Sequence, residues 1–272
     1  MLEVQSGFLP VEGGRLYYET AGQGQPLVMI HAGIADSRMW TPQWDAFAQR
    51  CRVIRYDTRG YGKTTTDSVE FSNRADLRAL LDHLEVEQAV VIGCSRGGQI
   101  AVDFTLEFPE RVRALIPVTA GLGGFQFEEP KHEREKFIEM DQLYDKGDFA
   151  RLTDLEVEVW VDGFQRTPDQ VDPQVRKTVR QMIAANYARK DGEPKPIVLA
   201  PPAAGRLAEI KAPTLVIVGD LDTSDTRAAA EALARGIPGA KYYVVKGTAH
   251  LPNMERPDEF NHIVLEFLSA LT

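Results

Sequence analysis

The chain is poor in cysteine: Cys51 and Cys94 are the only two among 272 residues, and they form no CxxC pair and no Cys/His cluster. A disulfide framework is thereby excluded, no metal-binding spacing is present, and a reducing compartment fits. Long apolar runs are also missing, none approaching the ~18 residues of a membrane span. The N-terminal "MLEVQSGFLPVEGG" has no basic segment leading into an apolar one. The expectation is a cytoplasmic protein without a membrane partner. Lysine and arginine form no run, and the net charge is −9, which argues against a nucleic-acid partner and for simple solubility. Repeats and low-complexity tracts are absent too.

What remains is an ordinary globular composition, 43% hydrophobic and 26% charged, long enough for one large domain or a domain with an insertion. "GFLPVEGGRLYYET" (7–20) reads as a β-hairpin around Gly13-Gly14. "PLVMIHAG", "CRVIRYDTRG", "QAVVIGCS" and "RALIPVTA" are nearly continuous apolar runs, as expected of strands covered on both faces. Helical stretches separate them. "TPQWDAFAQR" offers Thr41 as a cap with Pro42 in the first turn, and "SNRADLRALLDHL" repeats leucine at helical spacing. This alternation predicts the α/β class.

The alternation lapses from Gly121 to about Gly205, where the chain becomes charged and helical in pattern. Asp172-Pro173 is a helix start, and Val175, Val179, Met182 and Ile183 fall on one face. "LEVEVWV" (155–161) alternates like a strand, but its helical neighbours favour helix. After "APPAAG", the runs "APTLVIVGD" and "AKYYVVKG" supply two more buried strands, with a helix between them and a closing helix over "PDEFNHIVLEFLSAL". The expected division is 1–121 and 206–272 as the core, with 122–205 as a helical insertion.

Chemistry concentrates in "VVIGCSRGGQI" (90–100). A strand passing into a helix through one residue strains that residue and leaves no room for side chains two positions away. Gly93 and Gly97 remove those side chains around Ser95, giving the G-x-S-x-G nucleophile elbow. At this point the chain resembles the α/β-hydrolase superfamily over nearly its whole length. "HAGIADSRMW" is similar to the family's oxyanion loop, "YDTRGYGKT" to its Asp-x-Arg-Gly-x-Gly loop and "FPERVRALIPV" to the segment entering the sixth strand. The insertion falls where relatives carry a cap.

The resemblance implies a mostly parallel eight-stranded sheet covered by helices on both faces, with a helical cap, and a Ser–Asp–His order of catalytic groups. His250, in the loop after the last strand, is the implied base. Gly-x-x-Asp counted from Gly219 selects Asp222 as the acid, with Asp220 the alternative, otherwise left to accept hydrogen bonds from loop amides. The implied oxyanion donors are the Gly33 and Arg96 amides. His31 is expected to be a brace, Cys94 a small core residue, and His83, His132 and His262 surface residues. The Arg96 side chain is expected in a structural salt bridge, contact with an acidic substrate group being the alternative. Ile34, Tyr144, Trp160 and Phe164 are candidates to line the substrate pocket. The expected function is cleavage of small apolar carboxylic esters without metal or cofactor, by a monomer or homodimer. Lactone cleavage and C–C bond hydrolysis in a ring-cleavage pathway are alternatives within the fold, and a small-molecule receptor with an intact triad is the alternative of another class.

Overall fold

The computed structural model describes residues 3–271. Its apolar runs form one twisted sheet, β1 (Val4–Val11), β2 (Gly14–Ala21), β3 (Gln25–Ile30), β4 (Cys51–Tyr56), β7 (Ala89–Cys94), β8 (Val112–Val118), β10 (Leu215–Gly219) and β11 (Lys241–Val245), in the order β1-β2-β4-β3-β7-β8-β10-β11. The two-residue β5 (Thr65–Thr66) also pairs with β2. The hairpin is antiparallel about Val11 and Gly14, and β2 meets β4 antiparallel; from β4 to β11 every pairing is parallel.

Continuous apolar strands result because both faces are covered. Leu27, Met29, Val90 and Ile92 point into one core cluster, and Val28, Ile30 and Val91 into another. The first is closed by α1 (Thr41–Ala48) and α9 (Pro257–Ser269), through Trp44, Phe47, Phe260 and Val264. The second is closed by α2 (Asn73–His83), α3 (Arg96–Glu107) and α7 (Ser224–Gly236), through Leu77, Phe104 and Leu233. A parallel strand must be covered this way because its crossovers lay helices over both faces.

Two expectations fail for identifiable reasons. β11 is a sheet edge, not a doubly buried strand, and Tyr242 and Tyr243 remain 41% and 38% exposed. Thr41 does not cap α1. The chain enters through a 3-10 turn, Ser37–Trp40, capped by Asp36, and the Thr41 hydroxyl accepts from Arg55 Nη1 at 3.0 Å. Ser72 and Asp172 do act as caps, accepting from Ala75 N and Gln174 N.

The insertion holds α4 (Lys131–Asp145), α5 (Phe149–Glu156), a π-helix (Val157–Asp162) and α6 (Pro173–Tyr187). The alternating "LEVEVWV" is therefore helical. Val157 and Val161, four apart, join the core cluster together with Val175, Val179, Met182 and Ile183. The segment returns through β9 (Lys195–Pro196), which pairs in parallel with β6 (Glu70–Phe71). Its exit is thereby stitched to the loop beyond β4, while its π-helix leads toward the β10 and β11 loops.

Candidate active site

β7 hands over to α3 through Ser95, at φ 56° and ψ −119°. An L-residue holds that conformation only when its surroundings fix it. Here Ser95 N donates to Val118 O at 2.8 Å, and Ser95 O accepts from Gln99 N at 3.0 Å. The flanking glycines are sterically required: a Cβ on Gly93 would lie 2.1 Å from Gly97 O, and one on Gly97 2.4 Å from Ile30 O. Gly98 is a third such position, where a Cβ would meet Ala120 Cβ at 2.5 Å. Its requirement comes from β8's exit and has no signal inside the elbow motif.

His250 and Asp222 converge on this serine. His250 Nε2 lies 2.7 Å from Ser95 Oγ, and Nδ1 lies 2.9 Å from both Asp222 oxygens. Both residues are buried. Nδ1–H donating to the carboxylate leaves Nε2 free to accept the serine proton, the arrangement general-base activation needs. Asp220 instead accepts from Gly247 N at 2.6 Å and pairs with Lys246. Cys94 is buried and its thiol is pushed up to about 12 by burial; Sγ lies 3.3 Å from Thr119 Oγ1, behind the His250 carbonyl.

The insertion is bound into both loops that carry these groups. Glu133 of α4 is buried and accepts from Ser224 N (3.0 Å) and Ser224 Oγ (2.7 Å), capping α7 two residues after Asp222. Arg166 donates to Glu255 Oε2 at 2.6 Å and to the carbonyls of Val161, Asp162 and Gly247. Glu255 Oε1 in turn accepts from Ala249 N at 2.8 Å, immediately before His250. Trp160 O accepts from His250 N, and the two rings lie 4.6 Å apart. Glu133, Arg166 and Glu255 are absent from the sequence reading, because ordinary charged residues give no signal until tertiary structure pairs them.

On the other side of Ser95 sits the loop His31-Ala32-Gly33. His31 is fully buried, with Nδ1 2.7 Å from Ala32 O and Nε2 accepting from Thr58 N at 3.1 Å. Burial, followed by the nearby Arg96 charge, holds its pKa well below the usual imidazole range. It is a neutral brace, as expected. Asp57 ties the same loop to the next one, accepting from Ser37 N and Lys63 N. A Cβ on Gly33 would point at Arg96 and Tyr61, each 3.8 Å away. Among the described residues neither the Gly33 nor the Arg96 amide is engaged by a protein acceptor, so both backbone donors stand open there.

Among the described residues the expected salt bridge of Arg96 does not form. Its guanidinium donates through Nη2 to Thr58 Oγ1 and lies 4.4 Å over the Tyr61 ring. It faces a cavity of about 740 Å³ between the core and the insertion, lined by Gly33, Ile34, Tyr61, Tyr144, Glu156 and Tyr187 among others. Ile34 and Tyr144 line this cavity. Trp160 and Phe164 do not: Trp160 covers His250 and stacks on Phe137, and Phe164 packs edge-on against His132. His83, His132 and His262 are exposed. Another depression, of about 770 Å³, surrounds Gly22–Gly24 at the N-terminal end of β3, the opposite end of the parallel strands from Ser95. Among the described residues no cluster of metal-ligating side chains occurs, and no helix is long and apolar enough to cross a membrane.

Comparison with known proteins bears on this geometry. Residues 25–257 match the model of the alpha/beta hydrolase fold family. A 2-hydroxy-6-oxononadienedioate/2-hydroxy-6-oxononatrienedioate hydrolase from Escherichia coli is 31% identical, over 97% of this chain and 96% of its own. Among solved structures, Est816, described as an N-acyl homoserine lactone degrading enzyme, is 26% identical with a TM-score of 0.76, covering 96% of this chain and 100% of its own. A hydrolase from Pseudomonas aeruginosa is 25% identical with the same TM-score, covering 97% of this chain and 98% of its own.

Proposed function

The chain belongs to the alpha/beta hydrolase fold family, and from that premise we propose that it is a serine hydrolase of small carboxylic esters, working through an acyl-enzyme. The observation that carries this reading is the alignment of Ser95 Oγ, His250 and Asp222 at 2.7 and 2.9 Å. His250 Nε2 takes the Ser95 proton as Oγ attacks the ester carbonyl. The developing oxyanion accepts from the Gly33 and Arg96 amides. Collapse expels the alcohol, which takes its proton from His250, and leaves an ester on Ser95. Water then enters, gives its proton to His250 and attacks the acyl carbonyl; the acid leaves as the proton returns to Ser95. Asp222 keeps Nδ1–H pointed inward and stabilises the imidazolium. The 122–205 segment acts as the cap.

A second reading is favoured by one observation, the 31% identity to the Escherichia coli hydrolase. The same triad would then release an acid by C–C bond hydrolysis. Lactone cleavage, for which Est816 is described, is ester chemistry within one ring. A screen of p-nitrophenyl esters with acyl chains of increasing length, beside a lactone and a ring-cleavage product, separates these substrates. Many turnovers per chain are expected, against at most a few for a receptor, with a maximum at short to medium acyl length because the cavity is bounded by the cap. A maximum at long chains would overturn the cap's role. Ser95→Ala should lower kcat by roughly 10³-fold or more; near-normal turnover in the folded variant would sink the serine mechanism.

A further inference from the structure

The cavity beside the open amides is not neutral, and its charges can be accounted for one by one. Arg59 is spent on Asp76, with Nε at 2.7 Å and Nη2 at 2.9 Å from the two carboxylate oxygens. Arg189 is spent on Asp191 and on the carbonyls of Gly62 and Thr64. Glu193 and Lys195, of opposite sign, sit exposed on the outer rim. Glu156, on the opposite wall, is largely protonated below neutrality because burial lifts its pKa to about 7. Among the described residues Arg59 and Arg189 each hold a carboxylate, whereas the exposed Lys195 and Arg96 do not, and of these two only Arg96 adjoins Ser95.

Its other contacts do not neutralise it. Thr58 supplies a neutral acceptor to Nη2, and Tyr61 a π-face to the guanidinium plane. Nε is sealed from solvent with no acceptor among the described residues. Asp57, the acid of the neighbouring loop, has both oxygens committed to the Ser37 and Lys63 amides. A buried donor atom on a charged group without an acceptor is costly, and a half-buried guanidinium that faces the cavity with no carboxylate beside it leaves room for an incoming anion.

We propose that the Arg96 side chain anchors a carboxylate on the substrate, so that the esters or lactones taken by this site carry a negative charge on the portion lying in the cavity. One guanidinium edge matches one carboxylate, and the ring of Tyr61 holds that edge in place. The role is one of specificity. It rests on the hydrolase reading above, but is separable from it, since the anchor would hold a carboxylate whether or not Ser95 attacks.

The test compares p-nitrophenyl hemisuccinate, hemiglutarate and hemiadipate with their uncharged acyl isosteres, in wild type, Arg96→Met and Arg96→Lys. The readout is the ratio of kcat/KM for charged over neutral ester within each protein, so a general loss of activity in a variant cancels. Wild type should prefer at least one charged ester by about tenfold or more, carried by KM, with the ratio collapsing in Arg96→Met and partly kept in Arg96→Lys. Equal ratios in wild type and Arg96→Met would overturn the proposal, as would a wild-type preference for every neutral ester. Glutarate binding to Ser95→Ala, measured calorimetrically with and without Arg96→Met, separates the two readings. Arg96-dependent binding without any ester turnover would uphold the anchor and overturn the hydrolase. Absence of both binding and preference would overturn the anchor.

Discussion

The two halves of the site are built on opposite principles. Around His250 and Asp222, nearly every polar group is answered by another: Glu133 caps the acid's helix, Glu255 holds the base's loop, and Arg166 closes that ring from the insertion. Across Ser95, in the cavity, Arg96 and Glu156 keep atoms without partners, and Tyr144 and Phe149 stay 56% and 37% exposed. On the proposed mechanism the first half must hold a fixed geometry through a reaction cycle, and saturated hydrogen bonding does that. The second must remain unsatisfied, since its missing partners are what a ligand supplies.

Breaking the saturated half should have the larger effects. Asp222→Asn should lower kcat by about 10³- to 10⁴-fold, because the amide favours the wrong imidazole tautomer. Asp220→Asn removes a loop hydrogen bond and a surface ion pair and should stay within a few-fold. Steady-state kinetics of the two folded variants decide the matter, and the reverse order would move the acid to Asp220.

Arg166→Met tests the loop clamp. The Arg166–Glu255 pair is buried, with side chains 10% and 6% exposed, and removing one partner strands the other charge at a cost of about 3 kcal/mol or more. Burial already raises the Glu255 pKa, and Arg166 opposes that rise. Without Arg166 the folded pKa climbs further above the unfolded one, so stability falls as pH rises through that window. Thermal unfolding should show a larger loss at pH 8 than at pH 5, with recovery in Arg166→Met/Glu255→Gln. An equal loss at both pH values would mean that Arg166 acts only through its carbonyl contacts.

The unsatisfied half gives the smallest effect, and of opposite sign. Burial lifts the Glu156 pKa from 4.5 to about 7, and the Tyr187 hydroxyl donates to Oε1 at 2.9 Å. Between those pH values the folded chain keeps a proton that the unfolded chain has lost, so stability declines as pH rises toward 7. Glu156→Gln keeps the Tyr187 bond without the titration. It should raise Tm by a few degrees at pH 8 and little at pH 5. A lower Tm at pH 8 would show that the carboxylate is answered by a group in the cavity after all, and would erase the contrast between the halves.

Much of this was readable in one dimension because its causes are local. Ser95 is marked by Gly93 and Gly97 within the same turn, and the steric demand on each is met by backbone nearby in sequence or by β3 alongside. The strands declared themselves by apolar continuity, and Asp172 by the amide it caps two residues on. Thr41 misled because Arg55, fourteen residues on, claimed its hydroxyl. That Trp160 lies against His250 and Phe164 against His132 could not be read from their aromatic character, because it depends on segments remote in the chain.

The amino-acid order by itself thus determined the fold class, the elbow and the Ser–Asp–His order, each set by contacts or periodicities spanning a few residues. Tertiary structure alone decided the rest. It brought the Asp222 carboxylate to His250 and the Asp220 carboxylate to Gly247 N, bound Glu133 to Ser224 across 91 residues, and left Arg96 without a carboxylate among the described residues. Those outcomes depend on distances between segments remote in the chain, and a charge's partner, or its lack of one, exists only once the chain has closed around it.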